Sequence, residues 1–137
     1  MSDRRYAERT KVPVTQSRNE IEAMVKKFGA HQVLSYEDKD RAIVQFMAHG
    51  RMIRFTLELP EKTEPAESRR CWRALVLLVK SKITAVTENI VTFEQEFLGN
   101  VVMADGKTVH EHARETIRLS YESGVTQTLL PDFSKGT

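Results

Sequence analysis

His110, Glu111 and His112 are consecutive, and a cluster of two imidazoles and a carboxylate is the first place to look for a metal site or a proton relay. The three residues open a helical pattern, however. Positions i and i+2 of a helix point to different faces, so the two imidazoles cannot chelate one ion. His31 and His49 have no partner at metal-ligand spacing, and neither an HExxH pair nor a cysteine pair is present. His49, followed by Gly50, reads as a turn residue. Cys71 is the single cysteine, which rules out an internal disulfide. Its place in an apolar helical stretch marks it as a buried, unreactive thiol. Glu61, Glu64 and Glu67 are spaced along a solvated helix start. Glu94 and Glu96 lie two apart, on different helix faces, and do not form an acid/base pair. There is no glycine-rich phosphate loop and no G-x-S-x-G elbow. The sequence therefore carries no catalytic, metal or cofactor signature, and an active site would have to converge from distant positions.

The cations offer more. Arg69, Arg70 and Arg73 fall in the opening turns of a long helical pattern, with Lys80 and Lys82 further along. Arg69, Arg73 and Lys80 share one face. Cations at a helix start and carboxylates at its end (Glu94, Glu96) oppose the macrodipole, at a few tenths of a kcal/mol each. Something must offset that: the acidic linker, another layer of the protein, or a phosphate-bearing partner. With Arg41, Arg51 and Arg54 on predicted strands, the set outlines a candidate basic surface for DNA or RNA. Residues 1–82 carry 17 Lys/Arg against 11 Asp/Glu, and residues 83–137 carry 4 against 8, so the net charge of +2 conceals a basic and an acidic half. Internal pairing of the two halves is the competing explanation. Tyr6, Tyr36 and Trp72 are not grouped into a stacking platform.

These residues must be positioned by a small set of elements. Trp72, Leu75, Val79, Ile83, Val86, Ile90, Phe93 and Phe97 recur at spacings of three and four, predicting a helix over Trp72–Leu98. Thr87-Glu88-Asn89 is a weak helical patch and Thr92-Phe93-Glu94-Gln95 a capping box, so a kink or break near residues 87–91 is an alternative to one rod. Ser17-Arg18-Asn19-Glu20 reads as a capping box opening a short helix with Ile21, Met24, Val25 and Phe28 on its buried face and Gly29 at its end.

From Gln32 to Leu59 the period changes to two. A two-residue turn at His49-Gly50 would set Phe46 against Ile53, Val44 against Phe55, and Ala42 against Leu57 on one face. The other face, with Arg41, Gln45, Met47, Met52, Arg54 and Thr56, is mixed. Met47 and Met52 are cross-strand neighbours there and suit an adaptable interaction surface. Gln32–Tyr36 adds a strand through Asp38-Lys39-Asp40, and Lys11–Thr15 is a candidate edge strand containing Pro13. Thr108-Val109-His110-Glu111 caps a last helix with a predicted buried stripe of Val109, Ala113, Ile117 and Tyr121. Leu129-Leu130-Pro131 and Phe133 would pin the tail.

The expected fold is α+β: a three- or four-stranded antiparallel sheet with a short N-terminal helix, one long central helix and a C-terminal helix packed mainly on one face. Residues 1–137 fit a single domain, with 1–10 flexible and 60–68 as the linker-like stretch. No run approaches the ~18 apolar residues of a membrane span, and the N-terminus lacks a signal-peptide core, so the expected setting is the cytoplasm.

Several stretches taken together resemble small uncharacterised proteins encoded by tailed phages and prophages. They are Lys11–Thr15 running into the first helix, His49–Phe55, Cys71–Leu75 continuing to Thr92–Leu98, Asp105–Val109 and Leu129–Pro131. The resemblance implies a phage or prophage setting in a host cytoplasm, with work on DNA or interference with a host system. Two readings follow. The first is a non-enzymatic accessory protein that contacts nucleic acid, or a complex that processes it, through the basic residues. The alternative is a protein–protein module, either an inhibitor of a host system or a component that self-associates through the long helix.

Overall fold

The structure, a computed structural model, describes residues 11–59 and 65–129. The elements are α1 (Val14–Lys27), β1 (His31–Glu37), β2 (Arg41–Ala48), β3 (Arg51–Glu58), α2 (Pro65–Thr87), α3 (Phe93–Phe97) and α4 (Val109–Ser123). The strands form one antiparallel sheet in the order β1-β2-β3. The fold is the expected α+β class.

The β2–β3 register pairs Ala48 with Arg51, Phe46 with Ile53, Val44 with Phe55, and Ala42 with Leu57, as alternation and turn length together predict. His49 and Gly50 both have positive φ, 51° and 75°, the requirement of the tight turn whose twist matches the flanking strands. His49 is more than a tolerated turn residue. Its ring lies 4.5 Å from that of Phe93 and 5.3 Å from that of Phe28, so the hairpin tip docks on the ends of two helices. At the other turn, Asp38 Oδ1 accepts from the backbone N–H groups of Asp40 and Arg41 at 2.8 and 2.9 Å, joining β1 to β2.

Helix α1 starts earlier than its sequence signal. Lys11–Thr15 forms no strand: Pro13 is the N-cap and Val14 and Thr15 are already helical. Proline's fixed φ and missing donor are harmless at a helix start and costly in a ladder. Ser17 consequently sits inside the helix, fully buried with its hydroxyl unpaired, and makes no capping box. The C-terminal end is as expected. The N–H groups of Gly29 and Ala30 donate to the carbonyls of Lys26 and Val25, a Schellman closure with glycine at φ 107°.

The long apolar pattern is two helices. α2 ends at Thr87, where the same closure recurs: the Asn89 and Ile90 N–H groups donate to Val86 and Ala85, with Asn89 at φ 59°. Thr92 then caps α3 reciprocally with Gln95. The break removes a supposed conflict, because Glu94 and Glu96 lie in the first turn of α3, where the dipole favours them. It also throws Ile90 off the stripe, 74% exposed, while Phe97 is fully buried with edge-on contacts to Phe46 and Phe55. Lys82 ties the two helices by donating to the Glu96 carbonyl at 3.0 Å.

One sheet face packs against α1 and α2. Ile21, Val25, Trp72, Leu75, Val76 and Val79 join Ala42, Val44, Phe46, Ile53 and Phe55 in a single cluster. The chain then passes the β3 edge: the Val102 N–H donates to the Met52 carbonyl at 2.8 Å and Val101 bridges Ile53. Helix α4 begins beyond that edge, with Thr108 and Glu111 forming the predicted capping box. Its predicted buried stripe is not buried. Only Ala113 is, while Ile117 is 44% and Tyr121 87% exposed, because the covered face of the sheet is already occupied by α1 and α2. The segment 1–10 expected to be flexible, most of the expected 60–68 linker, and Leu130-Pro131 and Phe133, expected to pin the tail, lie outside the described residues.

Candidate nucleic-acid interface

Alternation along the strands leaves Leu34 and Tyr36 of β1, Arg41, Ile43 and Gln45 of β2, and Arg54, Thr56 and Glu58 of β3 on the face away from α1 and α2. These residues floor a groove of about 940 Å³, walled by Gly99, Asn100 and, from α4 and its cap, Thr108, His110, Glu111 and Arg114. The floor is ordered by cross-strand pairs: Tyr36 opposes Ile43, Ile43 opposes Thr56, and Gln45 opposes Arg54.

Arg54 is the most firmly placed cation. Its Nε donates to Gln45 Oε1 at 2.9 Å and one terminal nitrogen donates to the Gly106 carbonyl at 2.8 Å. Asn100 Nδ2 in turn donates to the Arg54 carbonyl at 3.1 Å. Both guanidinium acceptors are neutral, so the charge is fixed in place by groups that do not themselves neutralise it. Arg41 and Arg114 are exposed at the groove. Among the described residues, none of these three arginines makes an ion pair with a carboxylate.

Two carboxylates share the groove. Glu58 opposes Arg41 across β2–β3. Glu111 is turned back into the helix cap, where Oε1 accepts from Thr108 N–H and Oγ1 at 3.2 Å each. The Thr108 backbone bond, above all, holds the Glu111 carboxyl below its usual pKa, with the nearby Arg54 and Arg114 adding to the effect and burial opposing it. The remaining groups of the adjacent trio diverge as helix geometry requires. His110 lines the groove, whereas His112 Nε2 pairs with Asp105 at 2.9 Å. Asp105 is held below the usual carboxylate range by the Lys107 backbone N–H and then by His112. Among the described residues no cluster of His, Cys, Asp and Glu is placed to hold a metal ion.

The sheet separates the residues singled out from sequence. Arg69, Arg70, Arg73 and Lys80 lie on α2, in the layer behind the covered face, while Arg41 and Arg54 lie in the groove. On α2, Arg70 pairs with Glu67 and Arg73 with Glu20 of α1, both at 2.8 Å, and Arg69 has its Nε buried. Internal carboxylates therefore supply the offset that cations at a helix start require. Lys80 is exposed, and Arg51 is exposed at the hairpin, donating to the Gly50 carbonyl. Met47 and Met52 face each other across the strands, half-buried, and do not line the groove. Sequence reasoning missed Arg114, because α4 was expected to pack into the core. It also missed Asn100, which reaches the groove only through the turn after α3, whereas His110, singled out from sequence as a chemical group, lines the groove with Glu58 and Glu111.

No protein-family model, no curated protein and no solved structure matches the chain. None of the described helices is long and apolar enough to cross a membrane.

Proposed function

We propose that this protein is a non-enzymatic accessory module that contacts nucleic acid, or a complex that handles it, through the groove on the open face of its sheet. The observation that carries this reading is the difference between its arginines. Those on α2 include two held by internal carboxylates, while Arg41, Arg54 and Arg114 converge from three elements on one concavity without an ion-pair partner among the described residues. Phosphate contacts by such groups give binding that weakens as salt is added. A phage or prophage setting, implied by the sequence resemblance, fits this role. The test is fluorescence polarisation at low salt with labelled single-stranded DNA, duplex DNA and RNA. Binding that falls with added salt is expected, and failure of all three probes contradicts the reading.

One observation favours a second reading, a protein–protein module. Ile117, Leu119 and Tyr121 on α4 are exposed, and an isolated helix of this length is marginal in water without tertiary support. The surface offered to a partner is then α4 rather than α2, whose main stripe is spent on the core. Light scattering over a concentration series tests the self-associating form, and a constant monomer mass rules it out.

A further inference from the structure

We infer that the ligand of the groove is single-stranded DNA, laid across the sheet with phosphates on Arg41, Arg54 and Arg114 and a base against Tyr36. This rests on the nucleic-acid reading above and goes further by naming the strand state and the contact residues. The lining alternates in character. Three guanidinium groups and two carboxylates, Glu58 and the cap-bound Glu111, stand around an apolar floor of Leu34, Tyr36 and Ile43, with Gln45, Thr56 and Asn100 as neutral hydrogen-bonding groups. One net positive charge is left among these five charged groups. That mixture complements a chain whose every unit presents one anionic phosphate and one flat, weakly polar base.

A duplex keeps its base faces stacked inside and offers only backbone and base edges, so the aromatic and apolar floor would meet no base face. An unpaired strand can lower a base onto the sheet, where an aromatic side chain stacks with it. Tyr36 is placed for this. It is 46% exposed, flanked by Ile43 on the next strand, and steadied by its hydroxyl donating to Asp38 at 3.3 Å. Leu34 and Ile43 beside it provide apolar surface rather than partners for a 2′-hydroxyl, which suits deoxyribose and the thymine methyl group. Arg54, fixed by Gln45 and Gly106, presents its charge in a preset orientation.

The test is fluorescence anisotropy with a labelled oligo-dT of about twelve nucleotides, within the span that single-strand-binding folds cover, against oligo-U and a DNA duplex. Oligo-dT is expected to bind best. Its log–log salt slope should be about −2, the value for three phosphate contacts on a single strand. The double variant Arg41→Gln/Arg114→Gln should lose affinity by about tenfold or more, and Tyr36→Ala should weaken binding without changing the slope. Thr56→Glu adds a carboxylate to the groove floor and should produce a similar loss, which keeps the test open if the double variant fails to fold. Arg69→Gln/Arg70→Gln on α2 should bind as the parent does. If oligo-dT binds but only the α2 variant loses affinity, the groove assignment falls and the nucleic-acid reading stands. Tighter binding of the duplex overturns the single-strand assignment, and tighter binding of oligo-U overturns the DNA assignment. If no probe binds, both readings fall.

Discussion

The two faces of the sheet are built from the same three strands and meet opposite fates. On one, Ala42, Val44, Phe46, Ala48, Ile53 and Phe55 are buried against α1 and α2. On the other, Arg41, Ile43, Gln45, Arg54 and Thr56 floor a groove that α4 borders without filling. A layered domain buries one face of its sheet because the helices available to cover it are limited. Here α1 and α2 suffice for one face, and the next stretch of chain passes the β3 edge to reach the other side. The difference teaches that the open face is free to carry charge, since no packing requirement dictates its residues.

The comparison breaks most visibly by truncation. Phe46→Ala on the covered face should cost about 3–5 kcal/mol of stability, read from urea denaturation, because a fully buried ring contacting Phe55 and Phe97 leaves a cavity. Ile43→Ala, three residues earlier in β2 and facing the groove, should cost about 1 kcal/mol or less by the same measurement. Similar costs for the two would mean that the open face is packed after all.

A smaller effect tests how α4 is held beside the groove. Thr108→Ala removes the hydroxyl that accepts from the Glu111 N–H at 3.2 Å and should cost about 1 kcal/mol, with hydrogen exchange accelerating first in the opening turns of α4. On the same helix, Ile117→Ser and Tyr121→Ser should each change stability by no more than about 0.5 kcal/mol, as expected of a stripe with no layer over it.

The smallest effect is a pH dependence. Glu111 and Asp105 both titrate below the usual carboxylate range in the folded state. A depressed folded value means that the unfolded chain takes up the proton first as pH falls. The contribution is therefore complete above the unfolded carboxylate range, about pH 5 and higher, and is lost as pH drops through the lower folded values. Protection factors of residues 105–113, taken relative to the intrinsic exchange rate at each pH, should fall on acidification through this window, and Glu111→Gln should flatten the part due to the cap.

Much of the fold is legible in the sequence because several signals act locally and agree. Alternation and a two-residue turn jointly specify the β2–β3 register. Thr92-Gln95 and Thr108-Glu111 mark helix starts, and Asn89 in a weak helical patch marks the break where the chain needs a left-handed residue. The failures are equally physical. Ser17-Glu20 has the residues of a capping box, but Pro13 four positions earlier starts the helix first, and Glu20 is then at hand for Arg73. The α4 stripe has correct helical periodicity, yet periodicity says only that a helix has an apolar face, not that a layer remains to cover it. The site was half visible. Arg41 and Arg54 were placed on the mixed face by alternation, while grouping them with the α2 arginines overlooked the sheet lying between. Arg114 joins them through the path of residues 98–108, a tertiary fact without a local signal.

The central claim is that the open face, not the α2 cations, is the binding surface. It is tested most directly by amide chemical-shift mapping while unlabelled oligo-dT is added to the isotope-labelled protein. Shifts concentrated at Leu34–Tyr36, Arg41–Gln45, Arg54–Thr56 and His110–Arg114 are the predicted result. Shifts confined to the stretch from Arg69 to Lys80, with the sheet signals unmoved, would contradict it.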